Sequence, residues 1–324
     1  MDKQNKKRNP FFVGLAAFFS GSVWKNIKKH WILYLFLLPA LVLIAVFSYG
    51  SMFGLISAFQ DFNLQEGFFE SEWIGFANFK RILFTPEFSY YNSFRNTLYI
   101  SVIRILTNFP AILIFTLLLN EIKTKKVKGL VQTISYIPYF ISWIAVGGMA
   151  YNLLSVDDGI LNKLIVMCGG EAIAWYNEPD YWWGILAISS LWKGMGWSTL
   201  IYMSSLGSID EELYDACTID GGGKFRQAIT VTIPGIMNVI MLQLILDVSK
   251  VMTDNYDQVM AMVNNSGMLR ETTDVVGVIE YRYIAQGTGL GIGTAYGFIK
   301  GIIGLVLVLV ADKITKKTDN EGVL

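Results

Sequence analysis

Ser208-Ile209-Asp210-Glu211-Glu212-Leu213-Tyr214-Asp215-Ala216-Cys217-Thr218-Ile219-Asp220-Gly221-Gly222-Gly223-Lys224-Phe225-Arg226, then Ile233-Pro234-Gly235, lies between two long apolar segments. Ser208 is placed to cap a helix whose acidic first turn complements the helix dipole. Gly221 to Gly223 must end that helix, and a second short one can begin at Lys224. Leu213, Ala216, Ile219 and Phe225 give the pair an apolar face. The 29 residues of 207–235 are long for a plain solvated connector. An apolar face on such a connector points to docking on a partner.

Outward from this loop the chain is apolar. Hydrophobic residues make up 53% of its 324 residues, charged residues 16%, and the mean hydropathy is +0.44. A soluble domain carries about 25% charge, so much of this surface must face lipid. A membrane-crossing helix needs about 20 mostly apolar residues. Trp31–Gln60 is uncharged for 30 residues, Leu130–Val156 for 27 and Gln227–Leu246 for 20. Phe94–Asn120 carries Arg95 at its edge and Arg104 inside, and Tyr181–Leu206 and Ile292–Ala311 carry one charge each, Lys193 and Lys300. The pattern predicts an all-α membrane protein with six spans, at 32–57, 95–119, 130–153, 181–206, 236–258 and 291–311. Residues 1–30 then form an N-terminal cytoplasmic or interfacial segment, 31–312 the six-helix domain and 313–324 a cytoplasmic tail. The apolar stretch Phe11–Val23 reads as a short interfacial helix or as a signal-sequence core.

Lys and Arg placement sets the orientation. With the N-terminus inside, inner segments hold 16 Lys/Arg and outer loops five. Both termini and the 207–235 loop are therefore expected in the cytoplasm. Cys168 then lies outside and Cys217 inside, so they do not pair. Trp31, Trp73, Trp175, Trp182 and Trp183 fall near span ends, as an aromatic belt or as sugar-stacking rings. Acidic and basic residues balance at 26 each, which gives no electrostatic case for nucleic acid. The one histidine, His30, leaves no His-based metal site or triad, and no metal or catalytic residue is assigned.

Tyr214-Asp215-Ala216-Cys217-x-Ile219-Asp220-Gly221-Gly222 followed by Ile233-Pro234 resembles the Glu-Ala-Ala-x-x-x-Asp-Gly-Ala…Leu-Pro loop of permease subunits of binding-protein-dependent ABC importers. Asp215 stands where the family has Glu, and Cys217 and Gly222 where it has Ala. The resemblance extends through Asn96-Thr97, Asn120-Glu121, Gln132-Thr133-Ile134-Ser135-Tyr136-Ile137-Pro138, Trp192-Lys193-Gly194-Met195-Gly196-Trp197 and Tyr281-Arg282 to the polysaccharide-type carbohydrate branch. That branch often carries a His after Pro138, where this chain has Tyr139. The resemblance implies a type I importer permease bundle in a bacterial plasma membrane. It implies that Asp215, Ala216, Cys217, Asp220, Gly221 and Gly222 belong to a coupling loop seated on an ATPase. The implied partners are a second permease subunit, identical or different, two ATPase subunits, an extracytoplasmic solute-binding protein and an oligosaccharide. No Gly-x-x-x-x-Gly-Lys-Ser/Thr occurs, so ATP and Mg²⁺ belong to the separate ATPase and this chain binds no cofactor.

The spans themselves carry charge. Gln243, Asp247, Lys250, Asp254 and Asp257 fall within about 80° of one another on a continuous helix, as one polar stripe. Arg104, Lys193 and Lys300 lie near mid-span. Charges at that depth face a bundle interior or water. With Trp197 they are candidates for a substrate path; a self-neutralising structural network is the other reading. Arg104, Lys193, Lys250 and Lys300 against Asp247 sum to +3, which favours an acidic, uronate-containing oligosaccharide over a neutral one. Gly293-x-x-x-Gly297-x-x-x-Gly301 predicts close helix packing, within the subunit or against the second permease. Pro39, Pro110 and Pro138 are candidate kinks. An ion-coupled secondary transporter or channel would also tolerate buried charge but leaves the acidic helix–Gly–helix loop without a purpose. An intramembrane enzyme would need a catalytic pair; Asp247 and Asp254 lie two turns apart with Lys250 between them.

Overall fold

The structure, a computed structural model, describes residues 24, 27–85, 90–253, 256–263, 266–285 and 289–317. Phe11–Val23 and Asp254 lie outside these. The chain divides into two compact units, Met1–Ile56 and Ser57–Leu324. In the first, the uncharged run folds as α1 (Trp31–Leu43), which passes into a π-helical stretch, Ile44–Tyr49, beyond Pro39. No residue of α1 is buried by the chain itself. A helix apolar on every side is one that lipid or another chain surrounds.

The second unit opens with a small antiparallel pair, β1 (Gln60–Asp61) and β2 (Glu72–Trp73), with Gln60 opposite Trp73. Asn78 on α2 (Ala77–Phe84) donates to the carbonyls of Ala58 and Gln60, at 3.1 and 2.9 Å, and clips this corner to the helix. Further helices of the unit include α3 (Tyr90–Asn120), α4 (Lys125–Phe140), α5 (Trp143–Leu154), α6 (Ile160–Met167) and α7 (Trp182–Leu206). They continue as α8 (Glu211–Ile219), α9 (Lys224–Gln227), α10 (Met237–Ser249) and α11 (Tyr256–Val263). The last are α12 (Arg270–Thr273), α13 (Val276–Ala285) and α14 (Leu290–Lys317).

Three helical stretches are long and apolar enough to cross a membrane: Trp31–Phe59, Tyr90–Asn120 and Leu290–Lys316. Two bent pairs raise the number to five among the described residues. α7, at 25 residues, is long enough for a crossing at ~1.5 Å per residue, but Lys193, Ser189, Ser190, Gly194 and Gly196 dilute its apolar character. Six spans are therefore not counted directly.

Two expected continuous spans are broken. The 130–153 span turns by 98° between α4 and α5. Ile141 and Ser142 are extended there, and the Ser142 hydroxyl caps α5 by accepting the Ala145 amide at 3.2 Å. The expected 236–258 helix stops at Ser249. The Ser249 hydroxyl donates to the Leu246 carbonyl at 2.6 Å, and the Thr253 amide to the Lys250 carbonyl at 2.9 Å. Hydroxyl side chains offer the backbone local partners that compete with the helix ladder. Pro110, by contrast, sits inside an unbroken 31-residue α3.

Three apolar clusters hold the second unit together. Ile100, Val146, Trp182, Leu186, Met262 and Leu269 join α3, α5, α7 and α11 to the α12 region. Ala58, Ile82, Ile279, Ala295 and Tyr296 join the β corner to α13 and α14. Ile112, Tyr202, Leu206, Ile236 and Ile240 join α3 and α7 to the start of α10. Trp182, expected in an interfacial belt, is 0% exposed and donates its indole N–H to the Trp175 carbonyl at 2.8 Å. Trp31 and Trp73 are exposed.

The GxxxG expectation resolves residue by residue. A Cβ at Gly293 would meet the Glu280 carbonyl oxygen at 3.1 Å, and one at Gly297 the Glu280 carboxylate at 2.7 Å, so both face α13. Gly301 has open space around it.

Candidate functional site

The 207–235 loop folds as two short helices around a glycine turn. The cap of α8 is Asp210, not Ser208: its carboxylate accepts the Glu212 amide at 3.0 Å, while the Ser208 hydroxyl turns back to the Ser205 carbonyl. Asp210 lies one residue before the first helical residue, where a short carboxylate reaches a free amide. α8 ends in a Schellman turn. The Gly221 amide donates to the Thr218 carbonyl at 3.0 Å and the Gly222 amide to the Cys217 carbonyl at 2.8 Å. Gly221 has φ +77°, where an L side chain is strained. Gln227 locks α9 onto α8 by donating to the Thr218 hydroxyl at 2.8 Å and the Tyr214 carbonyl at 3.3 Å. Tyr214 reaches on to the Thr232 hydroxyl at 3.1 Å.

This frame leaves the apolar side chains outward. Ile219 is 87% exposed and Phe225 80%, with Leu213, Asp215, Ala216 and Asp220 also exposed. Cys217 is half-buried, its Sγ 3.7 Å from the Thr230 hydroxyl, and Gly222 is buried. An ion pair ties the loop to the neighbouring turn: Lys224 Nζ lies 3.3 Å from a carboxylate oxygen of Glu121, between α3 and α4.

The span charges divide into those already engaged and those not. The Lys193 ammonium donates to the Tyr139 carbonyl at 2.7 Å, the Pro138 carbonyl at 3.3 Å and the Ile141 carbonyl, all at the broken end of α4. Lys300 pairs with Glu280 on α13, which lowers the formal mid-span sum from +3 to +2. Arg104 and Asp247 are half-buried and engaged. Gln243 is half-buried on α10. Lys250 is exposed at the break after α10 and makes no side-chain hydrogen bond or ion pair among the described residues. Asp257 is exposed in the first turn of α11. The four described stripe residues therefore do not share one helix.

Trp197 stacks on Tyr139 with ring centroids 4.5 Å apart and planes 6° apart. The Lys193 ammonium lies 5.6 Å from the Tyr139 ring centroid and 5.4 Å from that of Trp143. α7 reaches this close because Gly196 has no side chain: a Cβ there would lie 2.1 Å from the Ser135 carbonyl oxygen.

Sequence reasoning missed Glu280, the ion pair of Glu121 with Lys224 and the stacking role of Tyr139. Glu280 was legible as a lone carboxylate ending the apolar run Val275–Ile279 beside the GxxxG helix. Beyond the spans, Arg282 holds Asp274 in two parallel bonds of 2.8 and 3.1 Å, and this bonding raises the Arg282 pKa further above its ordinary value.

Comparison with known proteins agrees with this architecture. Residues 82–320 match the family described as binding-protein-dependent transport system inner membrane component. The chain is 36% identical to protein LplB of Bacillus subtilis over 91% of its own length and 92% of the relative's. It is 34% identical to the polygalacturonan/rhamnogalacturonan transport system permease protein YteP of the same organism, covering 90% and 89%. Among solved structures, a chain of the bacterial alginate ABC transporter in complex with an alginate pentasaccharide-bound periplasmic protein superposes with a TM-score of 0.83. Sequence identity there is 29%, over 93% of this chain and 99% of that one. The bundle with two bent spans, the helix–glycine–helix loop and these matches together make the chain a membrane-embedded permease subunit of the binding-protein-dependent ABC importer family.

Proposed function

We propose that this chain is one of two transmembrane subunits of an ATP-driven importer for oligosaccharides, acidic ones containing uronate in particular. Two ATPase subunits sit at its cytoplasmic side, and an extracytoplasmic solute-binding protein delivers the sugar. The membrane is a bacterial plasma membrane, with both termini inside. The exposed apolar face of the 207–235 loop carries this reading: Leu213, Ile219 and Phe225 stand on a rigid two-helix frame. An exposed apolar face of this kind marks an interaction site. ATP-driven closure of the ATPases moves this frame, and the rigid Gly221 turn passes the movement to α7 and α10. The substrate path runs beside Arg104, Lys193, Trp197, Gln243, Asp247, Lys250, Asp257 and Lys300. Within it Lys250 is the cation that meets a sugar carboxylate, because Lys193 and Lys300 have partners of their own.

The relatives support the substrate class. YteP carries polygalacturonan or rhamnogalacturonan by name, and the alginate transporter is described with an acidic polysaccharide. The test is uptake of matched neutral and uronate oligosaccharides by the reconstituted complex, for the wild type and Lys250→Met. A loss confined to the acidic sugar supports the assignment. Equal loss of both, or no acidic uptake by the wild type, contradicts it.

A further inference from the structure

The turn between α4 and α5 is held by a side chain from a third helix. α4 ends at Phe140, where the Ile141 amide closes back on the Pro138 carbonyl at 3.2 Å, and the carbonyls of a last turn otherwise lack intrahelical partners. Inside a membrane such groups must be satisfied by protein. Lys193, halfway along α7, supplies the partner. Its ammonium has three protons, and three carbonyls take them: Pro138, Tyr139 and Ile141. A cation at a helix C-terminus also meets the negative end of the dipole. Nothing is left on Lys193 to donate to a ligand.

The clamp fixes an aromatic plate. One of the clamped carbonyls belongs to Tyr139, whose ring lies flat on Trp197, one turn beyond Lys193 on α7. Both rings keep surface that the chain itself leaves uncovered, 39% for Tyr139 and 40% for Trp197. The Gly196 contact with Ser135 sets the height of α7 against α4, and Lys193 sets the end of α4 against α7. Between these two fixed points Tyr139 has little freedom to leave Trp197.

We propose that Lys193 is a positioning residue: it locks the broken end of α4 so that Tyr139 stays stacked on Trp197, and the plate, not the Lys193 charge, is what an oligosaccharide meets at this turn. The aromatic plate presents an apolar, polarizable face that suits a pyranose ring, and it takes neutral and acidic sugars alike. Charge selection then falls to another residue. This proposal rests on the oligosaccharide reading above.

The experiment uses the whole complex in proteoliposomes and measures KM and kcat for matched neutral and uronate oligosaccharides. Lys193→Met keeps the stem and removes the three donors; Lys193→Arg keeps donors; Tyr139→Leu removes the ring. Lys193→Met is expected to raise KM about tenfold for both sugars by the same factor, with kcat within twofold. Lys193→Arg is expected to recover most of that loss. Tyr139→Leu should match Lys193→Met, and the double variant should be no worse than either single one, because both act through one plate. If Lys193→Met fails to assemble, Tyr139→Leu alone decides. An unchanged KM in Tyr139→Leu, additive effects in the double variant, or a loss confined to the uronate sugar overturns the proposal. A wild type that imports neither sugar overturns the oligosaccharide reading and this proposal together. Wild-type import with unshifted variants overturns this proposal alone.

Discussion

Gly222 packs directly on Cys217: a Cβ added at Gly222 would lie 2.5 Å from the Cys217 sulfur and 2.7 Å from its carbonyl oxygen. The larger residue at 217 and the missing side chain at 222 fit each other inside the turn that ends α8. Gly222→Ala should therefore cost about 1–3 kcal/mol in the stability of the loop, as overpacking does. Adding Cys217→Ala should recover part of this. The carbonyl clash remains, so recovery should be incomplete. Thermal unfolding of the purified complex, single variants against double, checks the ordering.

Gly221 raises a different point, because nothing crowds it. Its φ of +77° and the open space around it leave only a conformational cost for a side chain. Gly221→Ala should lose roughly 1–2 kcal/mol. Gly221→Asn should lose less, since Asn tolerates the left-handed region. Differential scanning of both variants gives the comparison, and the Ala variant should also weaken substrate-stimulated ATPase.

Lys300 and Glu280 form a half-buried ion pair whose side chains are 20% and 21% exposed. Removing one partner strands a charge among apolar helices, at a cost of about 3 kcal/mol. Lys300→Met should lower the midpoint of thermal unfolding, and Lys300→Met with Glu280→Gln should restore most of it. Uptake by the double variant should fall equally for neutral and acidic sugars, because this pair holds α13 to α14 and does not read the substrate.

Glycines on α7 should differ sharply. Gly196→Ala puts a Cβ 2.1 Å from the Ser135 carbonyl oxygen and must push α7 off α4, whereas Gly184 has nothing within 4 Å. Gly196→Ala should abolish assembly or uptake. Gly184→Ala should leave both near wild-type levels. Yield of the assembled complex and initial uptake rates report the contrast.

What the sequence carried was decided by kind. The apolar runs and the Gly221 turn were readable because burial in lipid and positive φ each leave a local signature. The breaks at Ile141 and Lys250 were not. Pro138 marked the first only as a candidate kink, and the Ser249 hydroxyl at the end of α10 competes with the helix in a way periodicity ignores. Side-chain partners across elements were beyond reach. Lys193 and Lys300 read as path cations because their partners, the Tyr139 carbonyl and Glu280, lie 54 and 20 residues away. The cap moved from Ser208 to Asp210 because both residues suit the position and only backbone geometry chooses between them.

In the proposed importer the exposed face of α8 and α9 transmits ATPase closure to the spans. Ala216, exposed on that face beside Leu213 and Ile219, tests it. Ala216→Arg adds bulk and charge where a groove must fit, without touching the spans. The measurement is substrate-stimulated ATP hydrolysis by the reconstituted complex, with membrane insertion of the subunit verified in the same preparation. The Ala216→Arg subunit should insert with stimulation abolished; stimulation and uptake unchanged from wild type would show that this face does not dock the ATPase.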